Sequence, residues 1–107
     1  MREGKIQVSP SYPEEVVQRI VRQNFGRFRQ CYEAGLHKNP ALNGTVTVAF
    51  DIGGGGAVAS PVDRGSAMKD KFVTACVVRS FDKLSFPRLE KAVVHVVYPI
   101  TFEPPDP

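Results

Sequence analysis

From Val93 to Phe102 the chain alternates without interruption. Val94, Val96, Tyr98, Ile100 and Phe102 fall on one side of an extended backbone, and Val93, His95, Val97, Pro99 and Thr101 on the other. A strand of this pattern has a wholly apolar face that must be kept from water, so it requires sheet neighbours and a covering layer. One neighbour is written at Gly44 to Ile52, where Val46, Val48, Phe50 and Ile52 alternate with Thr45, Thr47, Ala49 and Asp51. Gly53 to Gly56 follow at once and suit a hairpin turn, because glycine tolerates positive φ. Ala57 to Val62, carrying Val58 and Val62, then reads as a shorter return strand.

The cover is written at a different period. Val17, Ile20, Val21, Phe25, Phe28, Cys31, Tyr32 and Leu36 recur at steps of three and four, which predicts one long helix from Pro13 to about Lys38. Ser11 can cap it, or Pro13 can take its first position, and Glu14 and Glu15 suit the positive end of the helix dipole. Gly35, Asn39 and Pro40 discourage continuation. A second helix is predicted after Ser66, its presumed cap, with Phe72, Val73, Cys76, Val77, Phe81 and Leu84 as its apolar set. Phe86, Pro87 and a charged connection from Arg88 to Lys91 lead into the last strand, and Pro104 to Pro107 form a breaker tail.

The expected fold is therefore α+β: a three-stranded antiparallel sheet with two helices packed on one face, in the order helix, strand, strand, helix, strand. Lys5 to Val8 can add a short N-terminal strand. At 107 residues the chain is read as one domain, with its core at about 13–103. Hydrophobic residues make up 42% and charged residues 23%, which is globular composition and argues against disorder. No apolar run approaches the roughly 20 residues needed to span a bilayer, and Met1 to Val8 lack the apolar stretch of a secretory signal. The net charge of +3 is mild, and Arg19, Arg22, Arg27 and Arg29 are read as a solvated helix face.

Chemistry has few candidates. Cys31 and Cys76 each lie on the apolar face of a helix, and both helices must cover the same side of the sheet. The two sulfurs can meet in a disulfide, worth about 4 kcal/mol by chain entropy, or pack as two buried thiols, and spacing leaves both readings open. A metal site recruiting His37 and His95 finds no usual ligand spacing, and no metal or other cofactor is called for. No serine or cysteine stands in a nucleophile motif beside a histidine, so no catalytic residue is assigned. Asp51 and Asp63 flank the hairpin as turn and solubilising residues. The glycine run leads from strand to strand and offers no helix N-terminus to a phosphate. The strand aromatics Phe50, Tyr98 and Phe102 all face the core, so no nucleic-acid partner is expected.

What remains is backbone chemistry. Pro99 cannot donate a ladder hydrogen bond, which places its half of the last strand on a sheet edge or at a bulge. An edge strand with apolar Val93 and Val97 facing outward can accept an extended segment of another protein by strand addition. Its alternative is an edge already covered by Lys5 to Val8.

The assembled pattern resembles the TonB-type C-terminal domain, and in particular the variety at the C-terminus of the AgmX/PglI gliding-motility proteins of myxobacteria. The resemblance is carried by RQCYEAGLHKNPALNGTVTVAFDI from Arg29 to Ile52, GAVASPVDRGS from Gly56 to Ser66, CVVRSFDKLSFP from Cys76 to Pro87 and VVHVVYPITFEP from Val93 to Pro104. It departs from the family after Phe86 and Pro87, where Arg88 to Lys91 replace the usual Pro-x-Gly-Gly. The resemblance implies a non-enzymatic periplasmic module of an inner-membrane-anchored, envelope-spanning protein of energy transduction or gliding motility. It implies that Cys31 and Cys76 are paired, as an oxidising compartment favours. It further implies that Val93 to Val97 pair with an outer-membrane or periplasmic protein, while missing upstream regions engage an inner-membrane motor complex. A monomer is expected. Two other classes are kept beside this one: a small acylphosphatase-like hydrolase with Arg64 poised over a phosphate, and a structural module that dimerises by strand swapping.

Overall fold

The last strand is the organising element. In the computed structural model, which describes residues 1–9, 12–88 and 93–104, it runs from Val93 to Phe102, the span its alternation marks. In chain order the elements are β1 (Arg2–Glu3), β2 (Gln7–Ser9), α1 (Glu14–Gln23), α2 (Phe25–Lys38), β3 (Gly44–Gly53), β4 (Val58–Asp63), α3 (Lys71–Phe81) and β5 (Val93–Phe102). The class is α+β with an antiparallel sheet, as expected. Among the described residues, however, the sheet has five strands rather than three, and three helices cover it rather than two.

β5 pairs with β3 along its whole length, from Gly53↔Val93 to Gly44↔Phe102, and β3 pairs in turn with β4. On its other side β5 meets β1 and then β2, which replace the single short strand expected at Lys5 to Val8. All three helices lie over the face that carries Val46, Val48, Phe50, Ile52, Val94, Val96, Tyr98, Ile100 and Phe102, each of them buried. Phe81 of α3 joins the layers. Its ring stacks on Phe28 of α2 at 4.8 Å and meets Phe50 and Tyr98 of the sheet at 5.2 and 6.1 Å.

Three helical details depart from expectation. The long first helix breaks at Asn24, where φ and ψ are −107° and 9°, and the side-chain amide of Asn24 donates to the Ile20 carbonyl at 2.8 Å. The residue thus caps α1 with its own side chain, the local competition with helix that asparagine offers. Pro13 caps α1 instead of occupying its first turn, and Ser11 lies outside the described residues. α3 begins later than expected. Its cap is Asp70, whose carboxylate accepts from the Phe72 and Val73 amides at 2.9 and 3.1 Å. Ser66 serves the sheet, its hydroxyl accepting from the Thr47 amide at 2.9 Å. Phe72, assigned to the apolar set, is 80% exposed, with the Lys38 ammonium 5.3 Å from its ring centre. It sits in the first turn of α3 beside the end of α2, off the side by which its neighbour Val73 enters the core.

The β4 margin is irregular. Ala49 pairs with Val62 and Asp51 with Ala59, so Ser60 and Pro61 together oppose Phe50 in a bulge, with Ser60 at a φ of 53°. Next to it, Gly56 (φ 93°) brings its backbone against Phe86, whose amide donates to the Gly56 carbonyl at 2.8 Å. A Cβ on Gly56 would fall 2.0 Å from the Phe86 carbonyl oxygen, so only glycine fits.

Candidate functional site

The site expected from sequence is the outer edge of β5, and its geometry follows from Pro99. The Pro99 carbonyl accepts from the Gly4 amide at 2.9 Å, so the backbone groups of Pro99 point away from β3. In a strand the N–H and C=O of one residue point the same way, and neighbouring residues point oppositely. Val93, His95, Val97 and Thr101 therefore direct their backbone groups outward with Pro99, while Val94 and Val96 direct theirs to β3. Of the five residues expected to bind a partner, only Val93, His95 and Val97 can offer outward hydrogen bonds. The missing donor of Pro99 costs the β3 ladder nothing.

That edge is occupied. Ser9 pairs with His95 and Gln7 with Val97, while Glu3 pairs with Ile100 and Arg2 with Thr101. Between these two pairings Gly4, Lys5 and Ile6 oppose only Tyr98 and Pro99, so the covering segment carries one extra residue and bulges opposite the proline. Both readings of Pro99 are thereby resolved into one: the proline faces a bulge in the edge cover. No described residue pairs with Val93 on its outer side.

The cover is pinned by Glu3, which the sequence reading passed over. Its side chain is 9% exposed and points to the core face of the sheet. One carboxylate oxygen accepts from Gln18 and Arg22 of α1 at 2.8 Å each, and the other from the Tyr98 hydroxyl at 2.9 Å. Burial by itself would raise the Glu3 carboxyl, but these hydrogen bonds from Arg22, Tyr98 and Gln18 outweigh it and hold the group below its ordinary value. Burial and the adjoining carboxylate push the Tyr98 hydroxyl well above the ordinary phenol range. The one available signal was Tyr98 itself: a tyrosine on a core-facing position must find a partner for its hydroxyl.

The remaining expected residues are dispersed. His95 projects from the open face of the sheet and places Nδ1 2.5 Å from Oδ1 of Asp51, its cross-strand partner. Cys31 and Cys76 form a disulfide between α2 and α3, with Cα atoms 5.7 Å apart. Arg64 is exposed and its backbone amide donates to the Thr47 carbonyl at 2.8 Å. α3 starts at Lys71, so six residues, Gly65 to Asp70, separate Arg64 from that helix rather than the short step through Gly65 and Ser66 that was expected. His37 is exposed in the last turn of α2. Among the described residues no three His, Cys, Asp or Glu side chains are grouped to hold a metal, and no helix is long and apolar enough to cross a membrane. The connection at Leu89 to Lys91 lies outside the described residues.

The disulfide is compatible with an oxidising compartment, periplasmic or extracellular. In comparisons with protein-family models, curated proteins and solved structures, the chain matches none.

Proposed function

We propose that this is a periplasmic protein-interaction domain of an envelope-spanning energy-transduction or gliding-motility complex, which binds an extended segment of an outer-membrane partner on β5 by exchange for its own β2. The observation that carries the reading is the nature of the edge cover. Among the described residues β1 and β2 supply pairs at only Arg2, Glu3, Gln7, Val8 and Ser9, and between them a bulge opposite Pro99 is held by the single Gly4–Pro99 hydrogen bond. A longer extended segment offers the same outward groups of His95 and Val97 a continuous partner and reaches Val93 as well. The disulfide supports the compartment, and the motifs shared with TonB-type domains support the class.

Exchange requires the edge cover to leave, so weakening its anchor at Glu3 in β1 must favour the partner, whose apparent affinity is reduced by the fraction of molecules with the edge open. The test is amide chemical-shift mapping with extended peptides from candidate outer-membrane proteins, on the intact chain and on Glu3→Ala. Shifts are expected at His95, Val97 and Gln7 to Ser9, with tighter binding to the variant. Equal affinity for both proteins, with shifts scattered away from β5, would sink the proposal.

A further inference from the structure

The arginines that the sequence groups on one helical run part company in the fold. Arg22 is taken up by Glu3, whereas Arg27 meets two cations from a distant segment, Arg79 and Lys83. These three line a groove of about 450 Å³ between α2 and α3, with Gln30, Ala34 and Ser80 completing its walls and the Cys31–Cys76 disulfide at its base. No carboxylate lines the groove, and among the described residues none of the three cations is in an ion pair. Arg79 stands in the last turn of α3, where the helix dipole favours a cation. Arg27 does not share that explanation. It stands in the first turn of α2, where the dipole disfavours positive charge; that turn has no acidic residue, and the Asn24 side chain does not cap it. A cation set against its own helix, facing two more across a groove, makes a site electropositive enough to attract an anion.

From this geometry we infer that the α2–α3 groove is a second docking site, and that its occupant is an acidic segment of a partner protein bearing several Asp or Glu side chains. Charge complementarity selects that occupant: three separate cations on two walls match carboxylates spaced along a peptide. A nucleic acid would gain little, because the lining has no aromatic ring on which a base could stack. The disulfide ties the two walls together, so the helices that carry the cations are held side by side before the ligand arrives. This site lies on the helix layer and does not depend on strand exchange at β5.

The probe is an eight-residue peptide of alternating Glu and Gly, titrated into the intact, oxidised chain at low ionic strength with amide-shift mapping. A Gln–Gly peptide of equal length and a single-stranded oligonucleotide serve as the other arms. Shifts are expected at Gln30, Ala34 and Ser80, with affinity falling about threefold for each of Arg27→Gln, Arg79→Gln and Lys83→Gln, the scale of an exposed ion pair. The triple variant should lose about thirtyfold if the three act independently. Unchanged thermal midpoints would show that the variants remain folded. Failure of the acidic peptide to bind, equal binding by the Gln–Gly peptide, tighter binding by the oligonucleotide, or undiminished affinity in the folded triple variant would each overturn the inference. Because the readout residues lie away from β5, none of these results bears on strand exchange.

Discussion

At the scale of single residues, Glu3 carries more of the structure than its position near the chain start suggests. A carboxyl whose folded-state pKa is depressed contributes stability above its ordinary 4.5, and that contribution is lost as pH falls through the depressed value. Glu3→Gln should therefore unfold at lower urea than the parent at pH 7, by about 1 to 2 kcal/mol, and the two curves should converge in acid. A gap that persists unchanged at pH 2 would show that the charge of Glu3 does not matter. Gly56 makes a different kind of demand, one of space. Gly56→Ala forces a Cβ into the Phe86 carbonyl and should cost at least about 2 kcal/mol, read from the urea midpoint. Neither residue could be singled out from sequence: a lone glutamate in a polar segment and one glycine among four carry no pattern, and their roles exist only once distant parts of the chain are adjacent.

At the scale of elements, legibility follows how completely burial dictates the side chains. β3 and β5 were readable to within a residue because each buries one whole face, which leaves a strict alternation in the sequence. β1 was not, and β2 was met only in part by the short strand expected at Lys5 to Val8, since two and three residues are too few to show a period. They are strands because β5 leaves outward backbone groups that need partners. The break between α1 and α2 was hidden for the opposite reason: the apolar stripe runs on through it, and only Asn24 and Gly26, both poor helix formers, mark the place. Asn24→Ala removes the amide that bonds to Ile20. It should shift the backbone signals of Gln23 to Gly26 toward helical values while costing less than about 1 kcal/mol, because the lost cap is offset by higher propensity. Of the edge site itself, the strand and the meaning of Pro99 were legible, whereas the alternation of inward and outward backbone groups needed the register.

For the whole molecule, the disulfide sets how independently the helix layer behaves. It closes a separation of 45 residues between α2 and α3. The double variant Cys31→Ala/Cys76→Ala should lose about 4 kcal/mol if constraint of the unfolded chain is its main effect. Denaturation in urea would measure this, and a loss below about 1 kcal/mol would mean that packing around Phe81 suffices to hold the layer. The two margins of the sheet differ as well. On the β5 side the covering strands are short and bulge opposite Pro99, whereas along β4 the positive φ of Ser60 bends the backbone and Pro61 withholds a donor, so an incoming strand finds no regular ladder there. In terms of assembly, the proposed exchange would give the sheet a valence of one. Two such domains joined edge to edge through β5 would leave a third no regular margin on which to continue, and that pairing would not run on into a fibre.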